Sequence, residues 1–258
     1  MLAFCEAVLN SRDIKMIWDL HCQEMAQYGF DRLIYAFTSF RTAKIGDLSD
    51  VLVLSNHTQA YLDEFLHAGK FRDAPMVNWA ANHDGPMSWR HTAERMNRGE
   101  MTPAEIEVME LNKLHGVCAG YSIGFGDMSS RAHGAIGLVG QHGLSQDDVD
   151  RIWDENARTL LTMNRLVHMR ISNMPFATSH RPLTDRQREV LEWVADGKTT
   201  ADIALIMGLT PSTVEKHLRL AREALDVDTT AQAVMKASLQ KQIFMTALPY
   251  RGGVIYRQ

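Results

Sequence analysis

No run of the 258-residue sequence approaches the roughly 18 apolar residues that cross a bilayer as a helix, so no membrane span is expected. The N-terminal stretch MLAFCEAVLNSRDIK lacks a basic segment followed by a long apolar one, so no signal peptide is expected either. Cysteine is scarce. Cys5, Cys22 and Cys118 are odd in number and scattered, which points to reduced thiols in a cytoplasm rather than a disulfide framework. A basic excess is also missing: the formal net charge is −4, and composition alone does not point to nucleic acid. Internal repeats and low-complexity tracts are absent. What the chain does have is 45% hydrophobic residues, enough for two modest domains with a core each.

Periodicity organises the chain. Residues 12–28 read as a helix with Ile14, Ile17, Leu20 and Met25 as its apolar positions. Residues 33–41 and 51–56 read as strands, rich in β-branched and aromatic residues. A helix is expected over 58–70, and another from Thr102-Pro103 to about Leu114, with Pro at its first position. Residues 117–126 and 132–141 read as glycine-rich strands. Ser145 then caps a long helix whose apolar positions run Val149, Ile152, Leu160, Met163, Val167 and Ile171. Residues 173–182 are polar with two prolines and read as a linker. A mixed helix–strand domain (1–172) thus precedes a short all-helical one (183–243), with a tail at 244–258.

The C-terminal segment is punctuated by caps. Thr184 and Gln187 form a capping box ahead of Val190, Leu191 and Val194. Gly197 ends that helix. Thr199 or Thr200 starts a second, with Ile203, Ala204 and Ile206 inward. Gly208 makes a turn, and Thr210-Pro211 opens a third helix with Val214, Leu218, Ala221 and Leu225 as its buried stripe. Thr229 and Gln232 form a second capping box and open a fourth helix. Two short helices around a glycine turn make a helix-turn-helix. The exposed face of the third helix carries Ser212, Glu215, Lys216, Arg219 and Arg222, with His217 at its boundary. Such a face suits base edges and phosphates, and also suits an ordinary solvated helix. Eight Lys and Arg against nine Asp and Glu over 183–243 leave the domain near neutral, so the position of the charges has to carry any case for DNA.

The segment LTDRQREVLEWVADGKTTADIALIMGLTPSTVEKHLRLAREAL resembles the LuxR-type helix-turn-helix. It keeps LT-x-R-x-x-E-V-L-x-W-x-A-x-G-K-T, then Ile203-Ala204, then Thr213-Val214 and His217-Leu218. The resemblance implies double-stranded DNA as partner, a homodimer joined through the fourth helix, an operator built as an inverted repeat, and a contact with RNA polymerase. On this reading Glu215, Lys216, His217 and Arg219 meet base edges. Lys198, Thr199, Thr200, Ser212, Thr213 and Arg222 lie near phosphates. One departure is Gln187, where the family usually has Glu; capping survives, and a charge is lost.

The N-terminal order of elements resembles the acyl-homoserine-lactone-binding domain of LuxR-type quorum-sensing receptors. That motif places two aromatics four residues apart, Asp-Pro nine residues after the second, and Trp fifteen after the Asp. Tyr61, Phe65, Ala74-Pro75 and Trp89 keep this spacing, and Gly120 matches a glycine of the following strand. In the family, Trp donates to the lactone carbonyl while Tyr and Asp bind the acyl amide. Phe65 has no hydroxyl and Ala74 no carboxylate, although Asp73 is adjacent and substitutes if the loop shifts by one residue. Losing a buried polar anchor changes what a pocket prefers. The expectation is an α+β protein: an N-terminal α-β-α sandwich sensor for a small apolar signal, an acyl- or aryl-homoserine lactone or a related molecule, followed by a four-helix helix-turn-helix domain.

Other readings stay in view. The domain can be a ligand-independent regulator, its three aromatics being only core. The helix-turn-helix can serve protein contacts. Gly120-Tyr121-Ser122-Ile123-Gly124 matches the G-x-S-x-G of serine hydrolases, but that motif needs a helix directly after the serine turn, and here a turn and a further strand are expected. Gly197-Lys198-Thr199 has no P-loop glycine at 192, and His115 with Cys118 has no second ligand pair for a metal. No cofactor and no enzymatic activity are expected.

Overall fold

The computed structural model describes residues 1–39, 48, 50–126, 132–177, 182–244 and 250–251. The end of the strand expected at 33–41, the centre of the linker and most of the tail lie outside the described residues. The chain divides into two compact units after Ser172.

The first unit opens with α1 (Leu2–Asn10) and α2 (Ile14–Gln27), the latter capped by Asp13, whose side chain accepts from the Lys15 amide. Then follow β1 (Phe30–Thr38), β2 (Leu52–Ser55), α3 (Gln59–Leu62), α4 (Pro75–Ala80), β3 (Gly85–Ser88), α5 (Arg90–Asn97), α6 (Pro103–Leu114), β4 (Gly120–Gly126), β5 (His133–Gly140) and α7 (Gln146–Ser172). The five strands form one antiparallel sheet in the order β2-β1-β5-β4-β3. Alternation along β1 assigns its two faces. Leu33, Tyr35 and Phe37 are buried on the side of α2 and α7, where Tyr35 packs near Trp18 and donates or accepts a 2.9 Å hydrogen bond with His168. Ile34 and Ala36 point to the opposite side, toward α3, α4 and α6. Both faces are covered, so β4 is buried along six consecutive residues instead of alternating.

Helix α7 begins at the expected cap: the Asp148 amide donates to Ser145 Oγ and the Ser145 amide to Asp148 Oδ2, at 3.2 and 3.1 Å. Its buried stripe runs through Trp153, stacked on Tyr121 at 4.1 Å, whereas Ile152 is only half-buried. His21 of α2 and Asn164 of α7 share a buried 3.1 Å hydrogen bond.

Among the described residues of the first unit, α1, β3, α4 and α5 are not expected from the sequence. Helix α1 buries only Phe4 and Val8, and β3 is four residues long with Pro86 in an edge strand, where a missing amide does no harm. The remaining two, α4 and α5, are short. The helix expected over 58–70 is α3 followed by a π-helical turn at Asp63–His67, with the Ala68 amide donating to the Asp63 carbonyl at 2.9 Å.

The second unit contains α8 (Asp185–Ala195), α9 (Thr200–Met207), α10 (Pro211–Leu225) and α11 (Thr230–Leu239). Capping boxes at Thr184/Gln187, Thr199/Asp202 and Thr229/Gln232 start three of them, which makes Thr199 the cap of α9. Gln187 is 8% exposed, so its uncharged amide caps without the desolvation cost of a carboxylate. Gly208 closes α9 at φ +64°, a left-handed conformation that glycine adopts without strain. Val190, Leu191, Ile203, Val214, Leu218, Ala221, Leu225, Ala233 and Ala237 form one core. Part of the expected linker belongs to this unit: Phe176 is buried, its amide donates to the Gln240 carbonyl, and Phe176–Ala177 pairs in parallel with Tyr250–Arg251 of the tail.

Candidate ligand pocket and nucleic-acid interface

Between the sheet and the α3–α6 layer lies a cavity of about 160 Å³. The sheet makes room for it with small side chains, Ala36 on β1 and Ala135 and Gly137 on β5, beside Ile34, Val53 and Val139. From the other layer come Tyr61, Phe65, Leu66, Phe71, Met76, Val77, Trp89 and Asn112. No Asp, Glu, Lys or Arg belongs to the described lining. Its polar groups are His57, Tyr61, Trp89, Asn112 and Ser122.

One wall is a row of rings. His57 stacks on Tyr61 at 4.6 Å, and Tyr61 on Phe65 at 5.0 Å with planes 13° apart. The Tyr61 hydroxyl donates to Asn112 Oδ1 at 2.9 Å, and burial pushes the phenol's pKa well up, so it stays protonated. Burial, helped by the positive fields of Arg32 and His115, pushes His57 down to about 3, so its ring is neutral. Trp89 forms the far end: its indole Nε1–H donates to Ser122 Oγ at 2.9 Å, and its backbone amide to the Gly120 carbonyl at 3.1 Å. A Cβ on Gly120 would lie 2.8 Å from the Trp89 ring and 2.3 Å from the Leu138 carbonyl oxygen, so this position has room for glycine alone.

The structure therefore brings Tyr61, Phe65 and Trp89 to one cavity and packs Gly120 behind Trp89. Ala74 is fully buried in the same cluster without lining the cavity. Asp73 is the exposed last residue of a 3-10 turn (Lys70–Asp73) whose Phe71 is buried in the cavity wall; Asp73 is not in the lining, so the structure does not place its carboxylate as a substitute for the missing one. His57 and Asn112 carry no signal in the sequence, and Ser122 stood out only as the serine of the G-x-S-x-G pattern, not as a pocket residue. No periodicity marks them, because they become neighbours only through the sheet and α6. Ser122 lies in mid-strand with β4 continuing to Gly126, which is not the strand–turn–helix of a nucleophile elbow.

In the second unit, Lys198, Thr199, Ser212, Glu215, Lys216 and Arg219 are exposed, and Thr200, Thr213, His217 and Arg222 half-buried. Glu215 accepts from the Thr200 hydroxyl at 2.9 Å, and Arg219 pairs with Glu223 at 2.5 Å. Such exposed pairs are weak and can be exchanged for DNA contacts. The Arg222 guanidinium instead donates to Thr230 Oγ1 at 3.0 Å, tying α10 to the start of α11.

An uncharged cavity in one unit and a helix-turn-helix with a solvent-facing reading helix in the other define a ligand-controlled, DNA-binding transcriptional regulator. Residues 13–171 match the autoinducer binding domain, and residues 181–237 match the bacterial regulatory proteins of the luxR family. The transcriptional activator AnoR of Acinetobacter nosocomialis is 26% identical over 82% of this chain and 85% of its own length. The LuxR activator of Aliivibrio fischeri is 24% identical over 74% of each. The fold is similar to SdiA solved with octanoyl-rac-glycerol, with TM-score 0.53 and 16% identity over 93% of both chains. The chain belongs to the LuxR-type, autoinducer-binding regulators of quorum-sensing type. Among the described residues no helix is long and apolar enough to cross a membrane.

Proposed function

We propose that this regulator answers to an uncharged, mainly apolar signal whose recognition does not use the acidic anchor of the lactone receptors, and that it acts as a homodimer on an inverted-repeat operator. The observation that carries the first part is the wall chemistry: Ala74 is buried where the family places Asp, and no charged residue lines the cavity. Burying an unpaired ionic group is costly, so such a wall selects against charged molecules. Aryl- or acyl-homoserine lactones and neutral lipids with a similar chain, such as the octanoyl-rac-glycerol bound by SdiA, match it in character.

On the DNA side, α10 enters the major groove with Glu215, Lys216, His217 and Arg219 toward bases. Lys198, Thr199, Thr200, Ser212 and Thr213 lie near phosphates. In this arrangement Arg222 contributes more to fixing α11 than to phosphate binding. Helices α7 and α11 supply the dimer contacts, and a two-fold dimer reads two half-sites. RNA polymerase is the expected further partner.

The test is melting of the full chain, purified from a host that makes no acyl-homoserine lactones, against straight-chain and aryl-homoserine lactones and unrelated neutral aromatics. A molecule that binds only the folded state raises the melting temperature with concentration. A cooperatively melting protein that no panel member shifts would favour a ligand-independent regulator or a signal outside the panel.

A further inference from the structure

Residues 173–182 read as a linker in the sequence and 244–258 as a tail, yet parts of both are built into the DNA-binding unit. Helix α11 ends at Leu239, and the residues after it keep an unusual backbone. Lys241 and Phe244 have φ of +53° and +60°, the left-handed region that a residue with a Cβ adopts only at a cost. Such conformations persist where the surroundings over-determine them. Here the Gln242 amide donates to the Ala237 carbonyl at 2.8 Å, and the Phe244 amide to Glu192 Oε1 of α8 at 2.7 Å. Gln240, Gln242 and Ile243 are buried. The turn they form holds the start of the linker. Lys241 Nζ donates to Asn173 Oδ1 at 2.7 Å, the Phe176 amide donates to the Gln240 carbonyl at 3.3 Å, and the backbone of Phe176–Ala177 pairs in parallel with Tyr250–Arg251. Met174 and Phe176 are buried. Just before this stretch, Arg170 in the last turn of α7 donates to the Ser11 carbonyl at 2.5 Å, so only Ile171 and Ser172 lie between the two ties.

We propose that residues 173–177 are a strap clasped onto the DNA-binding unit by the turn at 240–244 and the tail strand, and that the clasp pre-organises the two DNA-binding units of a dimer for a paired operator. This rests on the homodimer reading above. With the strap closed, the joint between α7 and the DNA-binding unit is short and has no slack. With it open, each DNA-binding unit hangs on the whole of 173–182, whose freedom is lost whenever both half-sites are occupied. A single half-site makes no demand on the tether, because one DNA-binding unit engages it alone. The clasp therefore matters for paired sites and not for single ones. Its ties come from α8, the turn after α11 and the tail, so the reading face of α10 is the same open or closed.

The test compares the full chain with a chain that ends at Phe244 and carries Asn173→Ala. This variant removes the tail strand and the Lys241 tie, and keeps every residue of the α8–α11 core. Hydrogen exchange reads the Phe176 amide, which should be protected in the wild type and lose that protection in the variant. The DNA probes are a duplex that the wild type selects from a random-sequence library and the same duplex with one half-site scrambled. The variant should bind the full duplex about ten-fold more weakly than the wild type does, and the half-site duplex equally well. A wild-type Phe176 amide that exchanges as fast as in an unstructured peptide overturns the clasp. Equal affinity of the two proteins for the full duplex overturns its role on DNA. Equal weakening on both duplexes overturns that role too, because the tail then acts on the helix-turn-helix itself. Wild type that binds the full duplex no better than the half-site overturns the dimer reading and the role resting on it, while the amide still judges the clasp. If the shortened chain does not fold, Lys241→Ala in the full chain removes the same side-chain tie and is held to the same outcomes.

Discussion

Replacing Gly120 with alanine tests the geometry behind Trp89 directly. The added Cβ would lie 2.3 Å from the Leu138 carbonyl oxygen and 2.8–2.9 Å from two carbons of the Trp89 ring. The carbonyl belongs to β5, whose Val139 is paired with Gly120 itself, so the strands have to part or the ring has to move. Moving the ring breaks the buried Trp89–Ser122 hydrogen bond. Overpacking costs about 1–3 kcal/mol and an orphaned buried donor about the same. The sensor domain should therefore lose about 2–6 kcal/mol, which for its size lowers the melting temperature by roughly 4–24 °C. Circular dichroism of the full chain reads this as a shift of the transition assigned to residues 1–172, with the helix-turn-helix transition unmoved. Trp fluorescence should report the displaced indole. A Gly120→Ala protein whose sensor transition and fluorescence match the wild type would show that Trp89 is not packed against β4 and β5 in this way.

Ala74→Asp puts a carboxyl at a fully buried position; it should lower the unliganded melting temperature and raise affinity for an N-acyl-homoserine lactone, whose amide N–H it can accept. A substituted protein with unchanged stability and unchanged lactone binding would place residue 74 outside the ligand's reach. Arg219→Ala should weaken specific operator binding by about 1–3 kcal/mol and relax one base preference, read by gel shift with operator variants. Unchanged affinity and preference would remove Arg219 from the reading face. Acid should destabilise the sensor: burial pushes His21 to about 4 and His57 to about 3, below the ordinary 6.5 at which unfolded imidazoles take up protons. Between these values the unfolded chain binds more protons, so stability is full above pH 6.5 and falls below it, by about 2 kcal/mol for each histidine at pH 5. Melting from pH 7.5 to 5 should show the loss, with His57→Phe removing about half of it, and a flat profile would contradict the burial of both rings.

Some of this protein could be read without its fold because local chemistry leaves little choice. A Thr followed three residues later by Gln just ahead of an apolar run, as at Thr184 and Thr229, is a helix-start signature that needs no tertiary partner. Gly208 between two apolar-periodic stretches marks the turn, and the stripe Val214, Leu218, Ala221, Leu225 makes α10 amphipathic on one side only. The reading face follows as the other side. The spacing of Tyr61, Phe65, Ala74 and Trp89 likewise marked where a pocket would lie. Edge strand β3 and the short helices around it gave no such signal, because a proline-bearing strand of four residues and single-stripe helices owe their form to what they pack against.

The wall of the cavity was decided in three dimensions. Whether Asp73 or Ala74 faces the ligand depends on the turn at Lys70–Asp73, which points the carboxylate to solvent. Ser122 meets Trp89 only because β4 pairs with β3, and Asn112 meets Tyr61 only because α6 crosses the same sheet face. His57 is ordinary in sequence, a polar residue at the end of a strand. The ring stack and the surrounding layer bury its nitrogen without a partner, and that burial depends on residues 4 to about 80 positions away that local patterning cannot see.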